Sequence, residues 1–143
     1  ERDGRLLICA TNFVRALDAA FLRHGRFDYV IPIGLPDGEA RAAIWNRYIP
    51  AAAAEATDVA ALVTASAGLT PADTEYAARR ASQEALARAL RAGEGIGEGS
   101  GEGADAAPLA TDDYLRALAA TRATVSAEAV SDFVIDIDEY ARL

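Results

Sequence analysis

The sequence predicts a mainly helical protein with a small fragment of parallel β-sheet near its beginning. Residues 5–33 are ordered as strand, helix and strand, which is the repeating unit of parallel sheets. From residue 37 onward, apolar residues recur at the spacing of helices that bury one face. Hydrophobic residues make up 52% of the 143 residues, so the chain can bury a core.

Composition argues against several classes of function. The formal net charge of −8 makes nucleic acid an improbable main partner, because phosphate backbones attract basic patches. No apolar run approaches the length that crosses a membrane. A single cysteine, Cys9, rules out an internal disulfide and favours a reducing, cytoplasmic setting. Lysine is absent, so the phosphate-binding loop G-x-x-x-x-G-K-[ST] is absent too. The chain contains no methionine, and we expect it to be a piece of a longer protein.

Two short apolar segments at the beginning are predicted strands. Residues 5–10 form an apolar run typical of a buried parallel strand, and residues 28–33 form the second. Between them Asp18 can cap a short helix through Leu22 that stops near Gly25. Two strands do not make a stable sheet, so we expect the missing strands upstream. Without them, the unpaired apolar edge should favour self-association.

Five helices are predicted after Pro36. Their expected limits are Asp37 to about Ile49, Thr57 or Asp58 to Gly68, Thr70 to about Arg91, a start at Thr111, and a start at Ser126. The third has the clearest beginning, with a hydroxyl cap, a proline in the first turn and an acid three residues on. Residues 93–108 alternate glycine and acid with little to bury, and predict a flexible surface loop that acts as a spacer.

Residues 133–139, with the sequence FVIDIDE, allow two interpretations. They could be an apolar strand that ends in Mg²⁺-binding acids, or part of an amphipathic helix. The helix is favoured, because Val130, Phe133, Val134 and Ile137 recur at helical spacing. His24, the one histidine, is interpreted as a turn residue. We therefore predict no metal site in this chain.

Three polar side chains are candidates for chemistry. Asn12 follows the first predicted strand, and ligands of open α/β sheets bind beyond the carboxyl ends of strands. Arg23 and Arg26 share one turn, and guanidinium groups bind phosphate oxygens as a planar fork. On residue types alone, the stronger interpretation is that these arginines pair with Asp18 or Asp28 at the surface.

Residues 7–37 as a whole resemble the second region of homology of AAA ATPases. The matching motifs are Ala10-Thr11-Asn12, Leu17-Asp18, the run from Leu22 to Asp28 (LRHGRFD), and Leu35-Pro36-Asp37. Two positions depart from the family, because Ala19 and His24 stand where it often has proline. In that family the acid-ended strand that binds Mg²⁺ precedes the Ala-Thr-Asn motif, which also argues against such a strand at 133–139.

The resemblance implies a role for each candidate. Asn12 would be the sensor 1 residue, which positions the attacking water near the γ-phosphate. Arg23 would be an arginine finger and Arg26 a supporting one, both reaching ATP bound by a neighbouring subunit. A fixed cation there can contribute about 10³–10⁵ in rate. Such fingers imply a ring of subunits, expected to be a homo-hexamer.

A second stretch of resemblance lies at the start of the third predicted helix. Residues 68–73 (GLTPAD) are similar to the family's lid helix, whose backbone packs against the nucleotide. This implies nucleotide contacts at Gly68, Pro71 and Ala72, with Pro71 in place of a family glycine. The same residues also suit a plain helix cap, and the two roles are compatible.

Taken together, the resemblance implies the C-terminal part of an AAA α/β core at 1–36 and a helical-bundle lid at 37–143. The parent protein would bind ATP with Mg²⁺ mainly through upstream residues and hydrolyse it to remodel or unfold a macromolecule, expected to be a protein. This chain alone is expected to be inactive. Two alternatives stay open: a non-catalytic AAA-like interaction module or degenerate ring subunit, and a plain helical domain with an accidental arginine pair.

Overall fold

The computed structural model describes residues 4, 6–23, 25–91 and 109–142. These residues form five α-helices and two short 3-10 helices. The α-helices are α1 (Gly38–Tyr48), α2 (Val59–Ala65), α3 (Pro71–Arg91), α4 (Thr111–Ala119) and α5 (Ala127–Tyr140). The 3-10 helices are Val14–Ala16 and Ala51–Ala53. The predicted loop at 93–108 lies outside the described residues.

The chain divides into two compact units. The first unit consists of Glu1–Gly34 and Ala127–Leu143, and the helical unit is Leu35–Ser126. The sequence-based division after residue 36 stays a prediction, and the compact units divide after Gly34. Residues 127–143, however, fall in the first unit and not with the other helices, because α5 contacts the 3-10 helix Val14–Ala16.

Local capping explains where the helices of the helical unit begin. The Asp37 carboxylate accepts a hydrogen bond from the Ala40 N–H at 2.8 Å, and Asp58 accepts one from Ala61 at 3.1 Å. At the start of α3, the Asp73 N–H donates to Thr70 Oγ1 at 3.1 Å while the Thr70 N–H donates to Asp73 at 3.0 Å. These bonds use N–H groups that the first helical turn leaves free. The predicted starts of all three helices are confirmed.

The core of the helical unit forms around one aromatic pair. Trp45 and Tyr114 are fully buried, with ring centroids 5.7 Å apart in an edge-to-face arrangement. The indole N–H of Trp45 donates to Ser66 Oγ at 3.0 Å, and that hydroxyl donates to the Leu62 carbonyl at 2.7 Å. The inward face of α3 is mostly alanine, and its small side chains let neighbouring helices approach closely: Ala77, Ala78, Ala81, Ala85 and Ala89.

The predicted strands of the first unit do not pair with each other. Residues 6–10 have no regular secondary structure and belong to no ladder, and Val30 forms an isolated antiparallel bridge with Arg142. The described residues therefore contain no sheet, and the predicted fragment of parallel sheet is not formed among them. A strand is stabilised by its neighbours, and two crossover-linked strands supply too few of them. The apolar side chains consequently face solvent, with Leu6 85% and Ile33 88% exposed.

Two further predictions concern short segments of the first unit. The predicted helix from Asp18 to Leu22 is a turn, because the Phe21 N–H donates to the Asp18 carbonyl at 2.8 Å and no regular helix follows. Gly25 has a φ of +85°, which confirms the predicted stop. Residues 133–139 are helical within α5, so the helix interpretation of that segment is confirmed.

Candidate functional site

The two candidate arginines lie on an exposed turn of the first unit. We call residues 22–30 the arginine turn; His24 within it lies outside the described residues. Arg23 and Arg26 are both exposed, and neither forms an ion pair with a described carboxylate. Asp18 instead accepts the Ala20 N–H at 2.8 Å, and Asp28 accepts the Gly25 N–H at 2.6 Å. The described residues therefore do not form the alternative, in which the two arginines would make surface ion pairs with these two acids.

Contacts from within the first unit shape the arginine turn. Asp28 bonds the backbone at Gly25, where the positive φ reverses the chain. The rings of Phe21 and Phe27 lie 6.3 Å apart at 41°. From the end of α5, Arg142 Nη1 donates to the Leu22 carbonyl at 2.6 Å. These contacts hold the backbone of the turn and leave both arginine head groups available to an anion.

Asn12 lies on the exposed segment between residues 6–10 and the 3-10 helix Val14–Ala16. Next to it, the Phe13 N–H donates to Thr11 Oγ1 at 3.0 Å. This local bond fixes the backbone on either side of Asn12 and leaves its amide exposed. An exposed amide at this point can donate to, or accept from, a water molecule or a phosphate.

Arg15 anchors the segment that follows Asn12. Its Nη2 donates to the Asp132 carbonyl at 2.9 Å and lies 3.5 Å from the Asp132 carboxylate, while its Nε forms a close ion pair with Asp136. The hydrogen bond with Asp136 and the charges of both acids raise the pKa of Arg15 above its ordinary value, against a smaller opposing effect of desolvation. Sequence reasoning gave Arg15 no role. The i, i+4 pair of acids on α5 was the signal that could have found one.

In the helical unit, the predicted nucleotide contacts lie at the start of α3. Gly68 has a φ of +80°, and Gly68, Pro71 and Ala72 are all exposed. The N–H groups of Thr70 and Asp73 are used within the capping box. Pro71 has no N–H, and the N–H of Ala72 has no acceptor among the described residues. Ala72 is thus the donor that α3 offers at its positive end.

A cleft of about 480 Å³ opens beside this helix start. Its lining includes Ala72 and Asp73, the exposed side chains of Tyr76 and Arg122, and Thr124. Tyr76 supplies an aromatic face and Arg122 a cation. Neither residue was singled out from the sequence, because they become neighbours only when α3 and the segment after α4 pack together.

Asp73 has a structural role at the back of this cleft. Its Oδ2 accepts from the Thr70 hydroxyl at 2.8 Å, and from the Thr124 N–H and hydroxyl at 3.3 and 3.1 Å. Burial raises the pKa of Asp73, but the hydrogen bonds from both threonines outweigh it, and the pKa lies below its ordinary value. A carboxylate with its oxygen so fully occupied is a tether for the chain after α4.

The sequence-predicted site residues divide between the two units. Asn12, Arg23 and Arg26 belong to the first unit, and Gly68, Pro71 and Ala72 belong to the helical unit. Within the described chain, no group of three or more His, Cys, Asp or Glu side chains is placed to hold a metal ion. Among the described helices, none is both long and apolar enough to cross a membrane.

Several characterised proteins are similar to this chain over part of their length. The cell division cycle protein 48 homolog of Archaeoglobus fulgidus is 40% identical over 92 residues, which cover 62% of this chain and 12% of that protein. The ATP-dependent zinc metalloprotease FtsH of Rhodococcus erythropolis is 54% identical over 44 residues, covering 31% and 5%. The proteasome-activating nucleotidase of Saccharolobus solfataricus is 47% identical over 47 residues, covering 33% and 12%. The matched segments thus span 12% or less of these relatives.

A solved structure shows the fold. The FIGL-1 AAA domain in complex with ADP superposes with a TM-score of 0.75 over 93% of this chain and 44% of that chain, at 20% sequence identity. No protein-family model matches the chain. At this identity the likeness establishes the fold, and it agrees with the predicted combination of a partial α/β core and a helical lid.

Proposed function

We propose that this chain is the C-terminal portion of an AAA ATPase module, and that it supplies sensor 1, two arginine fingers and the lid of an ATP-hydrolysing ring. Asn12 is the sensor 1 residue, Arg23 the finger and Arg26 its support. The helical unit is the lid. The chain spans a small part of its relatives, and the activity proposed is that of the whole polypeptide that carries it.

The observation that carries the proposal is that two exposed arginines of the arginine turn form no described ion pair, while hydrogen bonds hold the backbone of that turn. Arg23 and Arg26 have no described carboxylate partner, although Asp18 and Asp28 lie close by in the sequence. A permanently charged guanidinium kept out of local ion pairs can meet an anion brought by another subunit. The charge that develops on the γ-phosphoryl oxygens during transfer is such an anion.

Two further features, one in each unit, support the proposal. Asn12 presents an exposed amide between Thr11 and the anchored 3-10 helix, which suits a group that orients a water molecule. In the lid, the free N–H of Ala72 and the open turn at Gly68 leave room for a nucleotide at the positive end of α3. Pro71 can contact the ligand only through its ring, since it has no N–H.

ATP with Mg²⁺ is the cofactor that these residues fit. The metal neutralises phosphate charge when it is bound. This chain contributes the lid contacts at Gly68, Pro71 and Ala72 and the cationic Arg23 and Arg26. Because the sequence lacks a phosphate-binding loop, the chain by itself is expected not to turn over ATP.

We further propose that the intact protein is a cytoplasmic homo-hexameric ring that uses hydrolysis to remodel or unfold a protein substrate. The names of the relatives support this direction: one is an ATP-dependent protease and another a proteasome-activating nucleotidase. A finger that acts on a neighbour's nucleotide needs a ring or stack of subunits in which each turn faces the next active site.

The test is the turnover of the intact polypeptide with Arg23→Ala. Loss of the finger should lower kcat by about 10³-fold or more, because the transition-state charge loses its fixed cation. Arg47→Ala is the matched control, since Arg47 is an exposed arginine of α1 without a described ion pair. Size-exclusion chromatography checks that both variants assemble. Wild-type turnover in an assembled Arg23→Ala protein would reject the finger assignment.

A further inference from the structure

A residue that follows α5 contacts both ends of the arginine turn. Arg142 is held at its backbone, where its N–H donates to the Val30 carbonyl at 3.0 Å and its carbonyl accepts the Val30 N–H at 3.0 Å. From this fixed point its side chain reaches across the turn, and Nη1 donates to the Leu22 carbonyl at 2.6 Å. One residue therefore ties together the two ends of the segment that carries Arg23 and Arg26.

The bond to Leu22 acts on the peptide group that leads into the finger. The Leu22 carbonyl and the Arg23 nitrogen belong to the same planar peptide unit, so fixing the oxygen fixes the orientation in which Arg23 leaves the chain. Arg23 itself makes no described contact that would hold its head group. Its aim must come from its backbone, and Arg142 is the side chain that sets that backbone from outside the turn.

α5 also contacts the segment that follows Asn12. Arg15, three residues after Asn12, is bound by Asp132 and Asp136, which lie one turn apart on α5. Phe133 of α5 packs against Gly34, where a Cβ would come within 2.8 Å of the phenyl ring. Within the first unit, α5 thus contacts the segment after Asn12 and Gly34, and Arg142, which follows α5, contacts the arginine turn.

We propose that Arg142 is a positioning residue for the arginine finger, acting through the Leu22–Arg23 peptide group. This inference rests on the proposed function of Arg23 and adds a residue that lies more than a hundred positions away in the sequence. α5 then has a role as well, because it sets the position of the finger relative to the ATP of the neighbouring subunit. The effect of Arg142 should reach catalysis only through Arg23.

A double-mutant cycle in the intact polypeptide tests this inference. Steady-state ATP turnover is measured for the wild type, Arg142→Ala, Arg23→Ala and the double variant. We expect Arg142→Ala to lower kcat by about 10²-fold, the scale of a misplaced catalytic group, with KM for ATP unchanged. The double variant should be as slow as Arg23→Ala alone. Arg142→Lys keeps an N–H donor at similar reach and should recover at least about tenfold of the loss.

Arg91→Ala is the matched control, because Arg91 also donates from its side chain to a backbone carbonyl, that of Ala87 at 2.9 Å, but in α3. It should turn over at the wild-type rate. If Arg142→Ala fails to assemble, Arg142→Gln replaces it in the same cycle.

Two results would overturn the inference: an unchanged kcat for Arg142→Ala, or a double variant that is slower than Arg23→Ala by the factor seen for Arg142→Ala alone. The second result would mean that Arg142 acts independently of the finger. Wild-type turnover of Arg23→Ala is a different failure, since it rejects the proposed finger itself and leaves nothing for Arg142 to position.

Discussion

The helical unit and the first unit contain similar apolar residues, but the helical unit buries them and the first unit exposes them. In the helical unit, Trp45, Leu62 and Tyr114 are fully buried. None of the described residues of the first unit is classed as buried, and Leu6, Ile8 and Ile33 are at least 80% exposed. One unit has a complete core, while the other displays apolar side chains to surroundings that this chain does not provide.

The reason for the difference lies in how each element satisfies its backbone. A helix bonds its own N–H and C=O groups and needs only one face covered, which α1 to α4 do for one another. An extended segment needs neighbours on both sides for its backbone and cover for both faces of the sheet. The described residues of the first unit do not supply those neighbours, so its apolar side chains stay exposed.

Truncating one large side chain in each unit should cause very different losses in the free energy of unfolding. Trp45→Ala should lower the free energy of unfolding by about 3–5 kcal/mol, because it leaves a cavity in a closed core. Ile31→Ala, at a side chain that is 68% exposed, should change it by less than about 0.5 kcal/mol. Urea denaturation of the chain measures both. Similar losses would show that the first unit is as closely packed as the helical one.

Removing the buried carboxylate of the helical unit should have the next largest effect. Asp73→Ala deprives the Thr70 and Thr124 groups of their acceptor and should cost about 2–4 kcal/mol. Asp112→Ala is the matched control, because Asp112 is an exposed acid in the first turn of α4. Thermal unfolding compares the two. Equal Tm values for the two variants would contradict the tethering role of Asp73.

Acid should weaken the same unit. Burial raises the pKa of Asp113, but its bonds with the Ala110 N–H, Arg116 and Arg88 outweigh it, so the pKa is lowered, as it is at Asp73. A group with a lowered folded-state pKa contributes stability above its unfolded pKa and loses it as the pH falls through the folded value. We expect unfolding free energy to be level from pH 7 to about pH 5 and to fall below about pH 4. In Asp73→Asn this fall should be shallower.

A smaller change should loosen α5 without touching the helical unit. In Gly34→Ala the new Cβ would lie 2.8 Å from Phe133, and overpacking of this kind costs about 1–3 kcal/mol. Hydrogen exchange of the α5 amides should speed up, while the amides of α3 stay protected. Gly38→Ala is the control, since nothing lies within 4 Å of its added Cβ. Unchanged exchange in α5 would contradict the contact, and Phe133→Leu should restore protection if it is real.

The smallest effect concerns an unsatisfied hydroxyl. Among the described residues, the buried Tyr114 OH has no hydrogen-bond partner, and burial together with the Asp113 charge raises its pKa. Tyr114→Phe should therefore be neutral or stabilise the chain by up to about 1 kcal/mol. Tyr48→Phe should instead destabilise it by about 0.5–1 kcal/mol, because the Tyr48 hydroxyl donates to Glu75 at 2.9 Å. A loss above 1 kcal/mol in Tyr114→Phe would reveal a partner for its hydroxyl.

What could be predicted from the sequence was local. The caps at Asp37, Asp58 and Thr70 act within three residues, so the starts of α1, α2 and α3 followed from short motifs. The FVIDIDE segment was also assigned correctly, because helical spacing is a property of the segment itself. Where neighbours decide the structure, as in the two predicted strands, the sequence of this chain did not contain the answer.

The candidate site shows the same division. Asn12, Arg23 and Arg26 were proposed from one continuous motif, while the residues that contact the segments around them were not singled out. Arg15 and Arg142 make their contacts only when residues 127–142 pack against residues 6–34 within the first unit, at separations of more than a hundred residues. A contact of that range leaves no periodic or short-motif signal in a single sequence.

Mixing two inactive subunits is the most direct test of the proposal that Asn12 acts on the subunit's own ATP while Arg23 acts on its neighbour's. Asn12→Ala subunits keep their fingers but should hydrolyse slowly, and Arg23→Ala subunits keep sensor 1 but supply no finger. We expect a mixed ring to recover ATP turnover well above either variant alone, because an Arg23→Ala subunit then receives a finger from an Asn12→Ala neighbour. Turnover that stays at the level of the separate variants, in rings shown to be mixed, would contradict the proposal, since Asn12 and Arg23 of one subunit would then both act on that subunit's own ATP.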